Sequence, residues 1–166
     1  MHRRILLSML PMAFISGLSG ADEEFTLDLS RQFEGFNGTF VLYDKKKNLR
    51  YVHNAPRAHE RFSPCSTFKI PNSLIGLETG VIIDENFVIP WNGAIHLFEA
   101  WNRDHTLATA IRDSVVWYYQ ELARRVGEER MREWLDRIGY GNRDISGGID
   151  RTWLGHTLLI SAGEGM

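Results

Sequence analysis

Ser66-Thr67-Phe68-Lys69 places a hydroxyl and an amine three positions apart. In a helix that spacing puts both side chains on one face, within reach of each other. A serine hydroxyl holds its proton at neutral pH and is a weak nucleophile by itself. A neutral base beside it can take that proton and activate it. Phe62-Ser63-Pro64-Cys65 leads into this stretch, and Ile70-Pro71-Asn72-Ser73-Leu74-Ile75-Gly76-Leu77 follows. Ser66 is therefore expected near a helix start, where outward backbone N–H groups favour developing negative charge. The same four residues also fit a helix-capping serine with a solvated lysine, and the spacing alone is common.

Other reactive groups offer less. Cys65 is the single cysteine, so no internal disulfide exists and the core must hold the fold. Beside Ser66 it could be a second nucleophile, although a small buried cysteine is the plainer reading. The six histidines are scattered without the spacing of a metal site, so no metal is expected. The chain has 166 residues, a net charge of −2 and 43% hydrophobic residues, which suits one globular domain. The basic runs Lys45-Lys46-Lys47 and Arg124-Arg125 are short and flanked by acids, so they read as solvated surface and no nucleic-acid partner is expected.

The elements that must position Ser66 and Lys69 can be read coarsely. Gly38 to Tyr43 and Leu49 to His53 are β-prone runs separated by a turn at Asp44-Lys45-Lys46-Lys47-Asn48, which predicts a hairpin. Ser66 to Thr79 reads as a helix stopped by Gly80, with Pro71 bending it or closing its first turn. Val115, Tyr119, Leu122, Ala123 and Val126, then Met131, Trp134, Leu135 and Ile138, recur at helical spacing, with Gly139 as the stop. Two strands followed mainly by helix predict an α+β domain whose helices pack on an antiparallel sheet.

The N-terminus has the form of a secretory leader. His2-Arg3-Arg4 is positive, Ile5 to Leu18 is apolar, and Ser19-Gly20-Ala21 supplies small residues before Asp22-Glu23-Glu24. Cleavage is expected after Ala21. The apolar stretch is shorter than the ~20 residues of a spanning helix, so no stable membrane anchor is expected.

Four motifs in order give this pattern a family resemblance: Ser66-Thr67-Phe68-Lys69, Ser114-Val115-Val116, Tyr140-Gly141-Asn142 and Trp153-Leu154-Gly155. Together they resemble the class D, oxacillinase-type serine β-lactamases and the related penicillin-sensing receptor domains. The resemblance runs from about Phe25 to Ala162, through Trp91-Asn92-Gly93, Arg103-Asp104-His105-Thr106-Leu107 and Gly147-Gly148-Ile149-Asp150. S-x-x-K is shared with penicillin-binding proteins and class A enzymes, whereas Phe68 and the Tyr-Gly-Asn triplet favour class D.

The resemblance implies the penicillin-recognising serine β-lactamase/transpeptidase fold, secretion to a Gram-negative periplasm, and hydrolysis of β-lactam antibiotics through an acyl-enzyme on Ser66. It implies Lys69 as general base, carboxylated by carbon dioxide or bicarbonate, and no other cofactor. Trp153 would donate its indole N–H to that carbamate. Val116 would form an apolar wall, and Ser114 would relay a proton to the β-lactam nitrogen. Tyr140 and Asn142 would shape the adjoining loop, and the Ser66 N–H would be one oxyanion donor. The plainer alternatives are a helix N-cap for Ser114, a core aromatic for Trp153 and a post-helix turn for Tyr140-Gly141-Asn142. A penicillin-sensing domain, acylated without turnover, is the competing function.

In the family, sheet strands follow the helical region, and one of them bears a Lys-Thr/Ser-Gly motif. Nothing after Trp153-Leu154-Gly155 supplies it. Residues 22–166 are accordingly expected to be the N-terminal and helical part of such a domain, lacking the C-terminal strands. Activity of this chain by itself is expected to be low. Thr152, His156 and Gly165 depart from the residues usual at those places in the family.

Overall fold

A computed structural model describes residues 23–164. The expected leader, residues 1–21, and Gly165 lie outside the described residues. The elements in order are β1 (Glu23–Thr26), β2 (Phe40–Asp44), β3 (Leu49–His53), α1 (Ala55–His59), a 3-10 turn (Cys65–Phe68) running into α2 (Lys69–Glu78), β4 (Val88–Ile89), a second 3-10 turn (Glu99–Trp101), β5 (His105–Thr106), α3 (Leu107–Arg112), α4 (Val116–Val126) and α5 (Glu128–Arg137).

The hairpin forms as expected, with β2 antiparallel to β3 and Leu42 opposite Tyr51. Asp44 Oδ1 accepts from the N–H groups of Lys46 and Lys47, and Asn48 takes the left-handed conformation that the turn requires. The sequence reading missed β1, which pairs parallel with β3 and makes a three-stranded mixed sheet of order β1-β3-β2. Its residues are Glu-Glu-Phe-Thr, too short and too polar for a strand pattern. It is held by main-chain pairing to a strand distant in sequence.

The main core lies among helices rather than on that sheet. Ile75 of α2, Tyr118, Tyr119, Leu122 and Val126 of α4, and Met131 and Leu135 of α5 form it with Ile145, Trp153 and Leu158 of the following loop. Among the described residues, none from β1, β2 or β3 belongs to this cluster. The expected packing of helices on the sheet is replaced by α1 against β3, where Val52 and Ala58 are buried. Helices α2 and α4 approach closely because Gly76 has no side chain: a Cβ there would stand 2.9 Å from Leu122 Cδ1.

The two sets of helically spaced apolar residues form two helices. Gly127, at φ +83°, ends α4 and starts α5. The apolar spacing steps there too, with Val126 and Met131 five positions apart. Pro71 stands in the first turn of α2, just past the change from 3-10 to α winding. Gly80 follows the end of α2 at φ +68°.

Candidate active site

The approach to Ser66 is set by one carbonyl. Trp153 O accepts from Cys65 N at 3.0 Å and from Ser63 Oγ at 2.7 Å. These bonds hold Cys65 at φ +47°, a region that L residues avoid unless their surroundings impose it. Thr67 then closes the 3-10 turn through its N–H and hydroxyl to Pro64 O. Ser66 is left exposed on the outer side of the turn. Cys65 is also exposed, which overturns its reading as a small buried residue.

Lys69 lies one turn on and points inward. It is 2% exposed, and its Nζ donates to Ser66 Oγ at 2.8 Å. Burial lowers its pKa below the ordinary lysine value, only partly opposed by the Cys65 side chain. That environment rules out a solvated surface lysine. The Tyr119 ring lies 5.8 Å from Nζ, and Tyr119 OH bonds Ser73 Oγ at 3.0 Å. Ser73 Oγ in turn donates to Lys69 O at 2.7 Å, tying the lysine backbone to α4. Sequence reasoning gave Ser63 no role beyond the lead-in to Ser66 and Tyr119 none beyond core packing; only their closeness in the fold to Trp153 and Lys69 reveals their part in the site.

Ser114 arrives from the other side. Its Oγ donates to Ser66 Oγ at 3.2 Å. Ser114 has φ +52°, and the N-cap position of α4 belongs to Val115, which has no side-chain cap bond. The capping alternative for Ser114 is therefore excluded. Val116 is the first residue of α4 and is half-buried.

Phe68 and Trp153 form the inner wall. Both are fully buried, with ring centroids 5.2 Å apart and nearly parallel, and Tyr140 meets Phe68 edge-on at 5.6 Å. Trp153 is thus a core aromatic, yet its Nε1 is buried without an acceptor. Such an orphan donor is costly and uncommon. Burial raises the Tyr140 pKa, opposed by its hydrogen bond with Thr67. Thr152 is buried and satisfied, bonding Asp144 O and Thr157 Oγ1, while His156 is exposed.

Tyr140-Gly141-Asn142 is a turn after α5, and it also braces the site. Asn142 donates from Nδ2 to Thr157 O at 2.6 Å, and its Oδ1 accepts from Leu159 N at 2.9 Å. The same segment continues to Ile160, whose backbone pairs both ways with Phe62 at 2.9 Å, just before Ser63. Gly141 makes this possible. It has φ +51°, and an added Cβ would fall 2.0 Å from Leu159 O, a backbone atom. Gly141→Ala is expected to destabilise the protein by more than about 2 kcal/mol. Urea unfolding checks this as a lowered midpoint with an unchanged slope.

Among the described residues, no group of three or more His, Cys, Asp or Glu gathers to hold a metal. A cavity lined by Arg50, His59, Arg61, Ser161, Gly163 and Glu164 lies away from Ser66, as does one beside Trp117 and Arg124. Ser66 is exposed, with its candidate base Lys69 buried.

The sequence matches the penicillin binding protein transpeptidase domain over residues 38–158. The chain belongs to that family. All eight candidate residues, from Ser66 to Trp153, fall inside the matched span. Within the transpeptidase family, the class D resemblance read from the motifs is borne out. The chain is 50% identical to probable beta-lactamase YbxI of Bacillus subtilis (strain 168), over 81% of this chain and 51% of that protein. The solved structure of class D beta-lactamase BAT-2 superposes with a TM-score of 0.78 at 53% identity, covering 83% of this chain and 58% of that one. The C-terminal domain of the Bacillus licheniformis BlaR penicillin-receptor superposes with a TM-score of 0.80 at 33% identity, covering 89% of this chain and 60% of that one. The chain spans about half the length of the curated relatives it matches.

Proposed function

We propose that this site is the acylation centre of a class D serine β-lactamase that opens penicillin-type antibiotics. The observation that carries the reading is a buried amine, disfavoured as an ammonium, 2.8 Å from an exposed serine hydroxyl. Ser66 Oγ attacks the strained ring carbonyl as its proton passes to the base, and the ring C–N bond breaks. Ser114 Oγ, 3.2 Å from Ser66 Oγ, stands where it can pass a proton to the departing nitrogen. Water then releases the ring-opened product from the ester. The Ser66 N–H, in the first turn of the helix, serves as one oxyanion donor.

The residues present fit a carboxylated Lys69. The amine is buried and held toward its neutral form, the state that adds carbon dioxide, and Trp153 Nε1 lacks an acceptor that a carbamate oxygen would provide. The carbamate would supply a base of lower basicity than the amine for both acylation and deacylation. Val116 and Phe68 keep the surroundings apolar, which holds the amine neutral. Tyr140 and Asn142 hold the loop that carries Trp153. In this reading residues 22–166 are the N-terminal and helical part of the domain. In the same reading residues 1–21 direct secretion to the periplasm.

Intact-mass spectrometry with benzylpenicillin and bicarbonate tests the turnover. The expected course, slow for these residues by themselves, is a gain of one penicillin that decays as ring-opened product accumulates. An adduct that forms and persists would favour the receptor-type function, a reading supported by the likeness to the BlaR domain over 89% of the chain. No adduct at all would contradict acylation.

A further inference from the structure

Ser114 reaches Ser66 from a backbone conformation that serine seldom takes, at φ +52°. A residue stays there only where neighbouring contacts over-determine it. Two of those contacts are local: Val115 N donates to Ala110 O at 2.9 Å and Ser114 N to Ile111 O at 3.3 Å, closing the end of α3. The third comes from a distant element. Trp101 Nε1 donates to Asp113 O at 2.9 Å. Asp113 O belongs to the peptide that enters Ser114, so fixing its direction fixes that peptide plane, and with it the direction of the Ser114 side chain.

Trp101 is itself held. Its carbonyl accepts from Trp117 Nε1 at 2.9 Å, and the carbonyl before it, Ala100 O, bonds His105 Nε2 at 2.9 Å. His105 is buried, with Nδ1 on Thr109 Oγ1 at 3.1 Å, and Thr109 closes the capping box of α3. Phe98 packs on Trp101 at 5.0 Å between centroids. Asp113 is gripped a second time through its carboxylate, held down to about 2 by its hydrogen bond from Arg112, with Arg103 adding to it. The indole thus joins the 3-10 turn Glu99–Trp101 to the peptide before Ser114. None of these bonds is made to Ser66 itself.

We propose that Trp101 is a positioning residue: its indole N–H holds Ser114 in the left-handed conformation that keeps Ser114 Oγ on Ser66 Oγ. The inference rests on the reading of Ser114 as the proton relay. Trp101→Phe removes the donor and keeps a flat ring against Phe98. The acylation rate with benzylpenicillin is expected to fall about 10-fold, the size of one well-placed hydrogen bond. The half-saturating concentration should stay within about twofold, because the variant keeps a flat ring at this place and loses only the donor to Asp113 O. The decisive arm is Ser114→Ala. With the relay hydroxyl gone there is nothing left to position, so Trp101→Phe/Ser114→Ala should be no slower than Ser114→Ala. Equal losses in both backgrounds would overturn the proposal and make Trp101 a general packing residue. A crystal structure of Trp101→Phe gives an answer independent of activity. The expected result is Ser114 rotated away, with its Oγ beyond hydrogen-bond distance of Ser66. Ser114 unmoved would overturn the proposal. If the unmodified protein takes no penicillin, the acylation reading fails, and this structure alone decides the positioning role.

Discussion

Lys69→Met is expected to abolish acylation of Ser66 while making the protein more stable. The rate loss follows from chemistry. Lys69 Nζ, at 2.8 Å, is the basic group placed on Ser66 Oγ, and removing a positioned base typically costs about 10²–10⁴-fold. The stability gain follows from burial. Lys69 is 2% exposed, and burying its charged form is unfavourable, which lowers its pKa from the ordinary 10.5. The direction in pH is fixed by linkage. Between the lowered folded value and 10.5 the unfolded chain binds more protons than the folded one, so wild-type stability climbs with pH across that window. The penalty is full below the folded value and gone above the unfolded one. Lys69→Met, similar in length and apolar, removes it. Its advantage should therefore be largest at and below neutral pH, about 0.5–2 kcal/mol, and should shrink toward pH 10. Thermal unfolding of both proteins at several pH values checks the sign. The acylation rate of the wild type should rise with pH through the same lowered value, since only the neutral amine can take the proton itself or add carbon dioxide to become the carbamate base.

Trp153 separates a folding role from a chemical one. Its ring is fully buried against Phe68, and its carbonyl anchors both Cys65 and Ser63. Trp153→Ala is expected to cost about 3–5 kcal/mol, through the cavity it leaves and the loosening of the turn that carries Ser66. For a domain of this size that is a large share of total stability. Trp153→Phe should behave differently. It keeps an aromatic ring against Phe68 and removes only the Nε1 donor, which has no acceptor in the present structure. Part of the lost volume is offset by removing that orphan donor, so the stability loss should be below about 2 kcal/mol. Carboxylation of Lys69, read by ¹³C NMR with labelled bicarbonate, should weaken sharply in Trp153→Phe. A carbamate signal of unchanged intensity would mean that the indole N–H serves the core alone.

The parts of this site that lie close in sequence were legible in the sequence. Ser66 and Lys69 share a helix face by spacing alone, and the hairpin was marked by its polar turn at Asp44 to Asn48. The parts that depend on distant contacts were not. By its place before an apolar helical run alone Ser114 reads as an N-cap, and only the resemblance carried by the four motifs pointed to the site; its left-handed backbone, against the end of α3, has no local signal. Cys65 read as a small buried residue, but the Trp153 carbonyl turns the chain there and leaves it exposed. Strand β1 carries no pattern of its own and is created by its parallel partner. Gly127 separates α4 from α5 where the apolar spacing steps by five from Val126 to Met131, a boundary that the sequence reading did not place. The helices found their core in one another and in the Ile145–Leu158 loop, a packing choice that no periodicity specifies.

The central claim is that Ser66, activated by Lys69, is the nucleophile. Peptide mapping of the protein after brief exposure to benzylpenicillin tests it most directly, with Ser66→Ala treated in parallel. The expected result is one penicilloyl group on the peptide bearing Ser66, assigned by fragmentation to Ser66 itself, and no labelling of Ser66→Ala. Labelling of Cys65, or an adduct that survives in Ser66→Ala, would contradict it.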